Sequence, residues 1–330
     1  MKADQLQEKV MQEKTTHKEL SHHKLTAGGI DLHYVECGND NHSQGVVVFL
    51  HGFPEYWGTW HYQLVSLGKN YHCIAPDLPG YNLSDKPTDN DFYKVENLIA
   101  VLAEFIKKVA SGQPVYLVAH DWGGAIAWPL AAFNAHLIDK LIILNAAHPS
   151  TFTREMKYNA EQRARSAYIH QLISADAEQL LSANQCQYLF EQIMAGFDEQ
   201  LLTDEFKARY LSVWQQSGAI NGMLQYYRAM PQLATSNSND KKGENEGQEN
   251  NHRLSPLTSL DDITIPRIFI KVPTLVLWGE ADRAFVPNCL DGLAEYVHEL
   301  NVVRFPHNSH WLQHEQPAAI SQEIANFIKR

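Results

Sequence analysis

One short segment holds the residue best placed for covalent chemistry. In Val118-Ala119-His120-Asp121-Trp122-Gly123-Gly124 a buried apolar run passes into a helical pattern across a very tight turn. Small residues permit a strained strand-to-helix turn, and such a turn pushes its central side chain out above the sheet. That side chain is Asp121. A carboxylate nucleophile attacks an alkyl carbon and forms an alkyl ester. Epoxides and alkyl halides suit that chemistry, and ordinary esters do not. The competing reading makes Asp121 the N-cap of the helix that follows.

Three further segments supply partners. His51-Gly52-Phe53-Pro54-Glu55 follows a buried strand, so its loop faces the carboxyl ends of the strands, where open sheets bind ligands. Backbone N–H groups of Phe53 and Trp122 are the expected hole for a tetrahedral oxyanion. His51, Pro54, Trp122 and Trp311 are the expected pocket walls. Trp278-Gly279-Glu280-Ala281-Asp282 lies at another strand's end and offers Asp282 as an acid. His307-Asn308-Ser309-His310-Trp311 follows the last strand, and His310 is the base expected to activate water. His307, His310 and His314 also suggest metal, but no carboxylates or cysteines converge with them in the sequence, so none is expected.

The elements that must hold these residues are legible from periodicity. Residues 30–35 alternate as a half-buried strand does. Val46–Leu50, Val115–Ala119 and Leu141–Leu144 are continuous apolar runs of the kind buried on both faces. Residues 72–76 form a third short strand. Val95–Val109 carries apolar residues at helical spacing. Strands alternating with helices imply a mostly parallel sheet flanked by helices. From residue 150 to 230 the pattern is helical throughout and rich in aromatics. Strands resume at 272–278 and 300–305, and a helix spans 318–328. The expected organisation is a polar extension over 1–24, an α/β core over 25–148 and 257–330, a helical insertion over 149–234, and a solvated polar loop over 235–256. Residues 1–24 include His17, His22 and His23, which read as a solvated tail rather than a metal site.

Composition narrows the function classes. The chain has 330 residues, 44% of them hydrophobic, enough for a full core without staples. Its 27 Lys and Arg against 38 Asp and Glu give a net charge of −11, which disfavours general nucleic-acid binding. No apolar run reaches the ~18 residues of a membrane span. Cys37, Cys73, Cys186 and Cys289 are far apart and read as reduced, buried thiols. Together with an N-terminus that lacks an apolar signal segment, they point to the cytoplasm.

The four segments, in this order and with Asp at the turn, resemble epoxide hydrolases of the α/β-hydrolase fold. The likeness covers about residues 25–330 apart from the 235–256 loop. It implies that the helical insertion is a cap, and that two cap tyrosines hydrogen-bond the epoxide oxygen. Met223-Leu-Gln-Tyr-Tyr227-Arg228 resembles the second tyrosine motif and Ser166-Ala167-Tyr168 the first. The segment after Tyr168 departs from the family's usual aromatic run. Pro79 and Asn82 replace residues frequent in the family, and Asn82 is compatible with a left-handed turn. The implied reaction turns an epoxide into a vicinal diol with water and without a cofactor, in a monomer or homodimer. A dehalogenase with the same nucleophile is the nearest alternative. A non-catalytic binding protein and an ordinary esterase fit less well.

Overall fold

Ten apolar strand positions decide the middle of this molecule: all of Val46–Leu50 (β3) is buried, and so is nearly all of Val115–His120 (β5). In the computed structural model, which describes residues 20–38, 43–230 and 260–330, these two strands lie side by side in parallel. Around them an eight-stranded sheet is built from Ser21–Ala27 (β1), Ile30–Cys37 (β2), His72–Pro76 (β4), Lys140–Leu144 (β6), Thr274–Gly279 (β7) and Leu300–Phe305 (β8). The spatial order is β1-β2-β4-β3-β5-β6-β7-β8. β1 and β2 run antiparallel at one edge, and every pairing from β4 to β8 is parallel. The parallel strands therefore all release their chain at one edge, where Asp121, Asp282 and the His310 loop follow β5, β7 and β8.

Alternate side chains feed two cores. Val46, Val48 and Leu50 face Val95–Ala110 (α2) and Trp122–Phe133 (α3), with Leu102, Phe105 and Ile126 fully buried among them. Val47 and Phe49 face the other layer, formed by His61–Leu67 (α1) and Pro317–Lys329 (α11), through Leu64, Ile320 and Ile324. Each such buried aliphatic side chain contributes about 1.5–3 kcal/mol by leaving water. A one-residue slip would exchange the two sets, so burial on both faces fixes the register.

Between β6 and β7 the described chain is helical: Pro149–Tyr158 (α4), Ala160–Arg165 (α5), Tyr168–Leu172 (α6), Ala177–Tyr188 (α7), Asp204–Trp214 (α8) and Ala219–Arg228 (α9). This is the cap. Side-chain donors tie it to the core loops. Trp214 Nε1 donates to the Pro54 carbonyl at 2.6 Å, and the Tyr226 hydroxyl to the Pro79 carbonyl at 2.7 Å. Leu312–Glu315 (α10) follows His310 and leads into α11.

One boundary differs from expectation. β1 begins at Ser21, inside the segment read as a polar tail, and pairs with β2 from Ser21–Glu36 to Ala27–Ile30. Its side chains are mostly exposed, so no apolar alternation marks it. Backbone pairing and polar contacts hold it instead, among them His22 Nδ1 with His33 Nε2 at 3.0 Å. His17 and the 235–256 loop lie outside the described residues. Asn82 takes φ 39°, the left-handed conformation its type tolerates.

Candidate active site

Asp121 closes β5 and opens α3 with φ 49° and ψ −118°. A non-glycine residue held there costs about 1–3 kcal/mol, which the surrounding packing must offset. Two glycines make the turn feasible. A Cβ on Gly123 would lie 2.4 Å from the Leu50 carbonyl oxygen, and one on Gly52 would lie 2.4 Å from Asp121 Cβ. The side chain makes no capping bond to its own helix. Its Oδ1 instead accepts the Phe53 N–H at 2.7 Å. The capping reading of Asp121 is thus set aside by geometry. Trp122 is the first residue of α3, so its N–H lacks an intrahelical acceptor. The helix N-terminus beneath the carboxylate favours negative charge.

His310 Nδ1 lies 2.8 Å from Asp282 Oδ2, and its Nε2 faces Asp121 Oδ2 at 3.7 Å. Asp282 is buried, and four groups hold its carboxylate: His310, the N–H groups of Ala284 and Phe285 at 2.6 and 3.0 Å, and Asn145 Nδ2 at 2.7 Å. Burial alone would raise this carboxyl. The charge and hydrogen bond of His310, with the Phe285 and Asn145 donors, outweigh burial and hold it below the ordinary range. For His310 burial works downward, but the Asp282 charge and hydrogen bond, then the Asp121 charge, raise it to about 9.

Above Asp121 stand two phenols. The Tyr227 ring packs edge-on against Trp122 at 5.2 Å and Phe53 at 5.0 Å, and Tyr168 lies 6.2 Å from it. The Trp122 indole and the Tyr168 phenol thus both lie beside Tyr227. Burial, and next to it for Tyr168 the Asp121 charge, push both phenols above their usual range, so both stay protonated. Tyr226 differs from its neighbour, because its hydroxyl is engaged by the Pro79 carbonyl. Asp121, Trp122, Tyr168 and Tyr227 line one cavity of about 1390 Å³ whose other walls include Phe152 and Ile169. Ordinary small-molecule pockets are about 300–1,000 Å³, so this cavity has room for a substrate well beyond a small epoxide ring.

Three expected pocket residues lie elsewhere. His51 is fully buried, its Nδ1 near the Gly52 carbonyl at 2.9 Å and its Nε2 accepting Leu78 N–H at 3.0 Å. It ties two loops together and has no face on the cavity. Pro54 receives the cap through its carbonyl. Trp311 is buried against His310 and His120. Phe53 contributes its N–H.

Several supporting residues carry no local sequence signal. Asn145 ends β6 at φ 35° and brackets Gly279, accepting its N–H at 2.8 Å, while reaching Asp282. Glu315 takes Asn308, Ser309 and the Ser309 N–H, fixing the loop before His310. Glu55 is fully buried between His120 at 3.0 Å and His314 at 2.7 Å. Burial pushes its carboxyl up, but hydrogen bonds from both histidines hold it well below the usual range. Among the described residues no histidine, cysteine and carboxylate group is arranged to hold a metal ion, and no helix is long and apolar enough to cross a membrane. All four cysteines are buried.

A family model described as alpha/beta hydrolase fold matches residues 45–317. Among curated relatives, AB hydrolase superfamily protein YfhM of Bacillus subtilis is 30% identical over 92% of this chain and 96% of its own. Epoxide hydrolase 4 of Mus musculus is 29% identical over 93% of this chain and 78% of its own. Among solved structures, the Bacillus megaterium epoxide hydrolase in complex with an inhibitor superposes with TM-score 0.77, at 28% identity over 93% of this chain and all of that one. The likeness runs along most of the molecule, and the chain belongs to the alpha/beta hydrolase fold family.

Proposed function

We propose that this chain hydrolyses epoxides to vicinal diols through a covalent ester on Asp121. One observation carries the reading. The Asp121 carboxylate, bound by Phe53 N–H and uninvolved in helix capping, shares a cavity with the phenols of Tyr168 and Tyr227. Relatives named epoxide hydrolases add support.

Asp121 attacks one ring carbon, and the C–O bond there breaks. The departing oxygen takes a proton from a phenol, leaving a tyrosinate that hydrogen bonds from its neighbours stabilise. Tyr227 is the first candidate, since its ring packs against both Trp122 and Phe53, the residues whose backbones flank the Asp121 carboxylate. The ester no longer carries the Asp121 charge, which is one of the causes that raise His310. His310 therefore gives up its proton to solvent more readily in the ester than at rest, becomes a base at the step that needs one, and takes a proton back from solvent once the Asp121 carboxylate is restored. Water passes a proton to His310 and attacks the Asp121 carbonyl carbon. The oxyanion sits against the Phe53 and Trp122 N–H groups. Collapse expels the alkoxide, which takes the proton from His310 and leaves as diol. Asp121, regenerated as the acid, returns its proton to the tyrosinate. Substrate and water are the only reactants.

The test is diol formation by wild type and Asp121→Ala over aliphatic and aryl epoxides, with halide release from alkyl halides followed in parallel. Diol from wild type, reduced by about 10⁴-fold or more in the variant, is expected for loss of a nucleophile. Halide release without diol would move the protein to the dehalogenases. Undiminished turnover in Asp121→Ala would remove the nucleophile from its role.

A further inference from the structure

In the loop that carries Asp282, Val286 is buried in the core and Phe285 packs against it, but the backbone before them joins no strand. Of the eight backbone groups from the Asp282 carbonyl to the Val286 N–H, six are met by three side chains rather than by strand pairing. Asp282 Oδ1 takes the N–H groups of Ala284 and Phe285. The other four are taken by two cap side chains on α5. Arg165 Nη1 donates to the carbonyls of Asp282 and Phe285 at 2.5 and 2.6 Å. Gln162 Nε2 donates to the Ala284 carbonyl at 2.8 Å, and its Oε1 accepts the Val286 N–H at 2.9 Å.

The two side chains are three residues apart, so they share one helix face. Both are pre-set for the task. Gln162 is fully buried and braced by a bond to Ser166 Oγ at 3.0 Å. Arg165 is held by Glu161 through Nε and Nη2 at 3.1 and 2.5 Å. A buried carbonyl or N–H without a partner is costly, so the loop cannot keep this shape once those side chains leave. The shape matters because Asp282 aims Nδ1 of His310.

We infer that Gln162 and Arg165 are positioning residues through which the docked cap holds the Asp282 loop and so orients His310. The cap then does more than cover the cavity, since it completes the acid–base pair. This inference rests on the reaction proposed above for its kinetic consequence only. The two half-reactions separate it from a purely structural role. Forming the ester needs Asp121 and the phenols, whereas hydrolysing it needs His310 aimed by Asp282.

The experiment compares Arg165→Met and Gln162→Leu with wild type in two readouts. One is rapid-quench mass spectrometry of ester formation and decay in a single turnover. The other is the low-field proton resonance of His310 Nδ1–H, identified by its loss in His310→Gln. Arg163→Met is the control, because among the described residues Arg163 bonds only the cap carbonyls of Met156 and Lys157. Ester decay should slow about 10- to 100-fold in both variants while ester formation stays within about twofold, so ester accumulates. The resonance should move or broaden. Arg165→Lys, which keeps a cation but loses the planar fork, should recover part of the rate. If Arg165→Met does not fold, Arg165→Lys and Gln162→Leu decide by the same readouts. Formation and decay slowing together, or neither slowing, with the resonance unmoved, would overturn the inference. If wild type forms no ester with any epoxide, the proposed function fails, and the resonance alone decides the positioning role in either direction.

Discussion

The carboxylates proposed as nucleophile and as its acid partner are held by opposite means. Asp121 is placed by backbone: a φ of 49°, a strand end, a helix start and two glycines at which an added Cβ would lie 2.4 Å from a neighbouring atom. Asp282 is placed by side chains: Asn145 from the neighbouring strand end, and Gln162 and Arg165 from the cap. The first arrangement is local in sequence and stiff. The second spans residues 145, 162, 165 and 282, and exists only when the cap is docked. A fold of this kind can change its cap and its substrate while keeping the nucleophile, provided the new cap still supplies donors and an acceptor to the acid loop.

Breaking the stiff side should have the larger effect. Gly52→Ala places a methyl group 2.4, 2.5 and 2.8 Å from Asp121 Cβ, Oδ1 and Cγ, closer than van der Waals contact allows. The carboxylate must leave the Phe53 N–H, and displacement of about 1 Å should slow ester formation by about 100-fold or more. Single-turnover kinetics would register this as a loss of ester formation, with cap docking intact by circular dichroism and thermal unfolding. Slow decay with normal formation would contradict the assignment of that turn to the nucleophile.

A smaller effect sharpens the link between the two sides. His310 is raised to about 9 by Asp282 and, less strongly, by Asp121. At pH 7 the resting imidazole is therefore charged. Removing one anion lowers the affinity for that proton, so the midpoint should fall in Asp121→Asn and should remain near 9 in wild type. Titration of the His310 ring protons by NMR follows both. In the same sense ester decay should speed up as pH rises through the midpoint of the ester form, which lies below that of the resting enzyme. Equal midpoints in the two proteins would mean that Asp121 does not reach His310 electrically.

The contrast also explains what the amino-acid order reveals. Periodicity places the buried strands because burial on both faces leaves continuous apolar runs, as at Val46–Leu50 and Leu141–Leu144. It misses β1, whose exposed side chains have no reason to alternate. The strained turn at Asp121 is legible because it needs small residues at fixed offsets. Tyr226 and Tyr227 are adjacent and identical in type, and only three-dimensional contacts separate the one whose hydroxyl is bonded to Pro79 from the one packed against Phe53 and Tyr168. His51 stands in a loop at the ligand end of the sheet, yet its nitrogens serve the loops themselves. Asn145, Gln162 and Arg165 are ordinary polar residues until folding brings them to Asp282. Long-range side-chain support of this sort leaves no spacing to read.

The measurement that bears most directly on the covalent account is a single turnover in H₂¹⁸O with enzyme in excess over an epoxide. Water attacks the Asp121 carbonyl in this account, so the label should enter the Asp121 peptide while the first-turnover diol stays unlabelled. Label in the first-turnover diol, with an unlabelled Asp121 peptide, would mean that water attacks the ring directly and would contradict the ester.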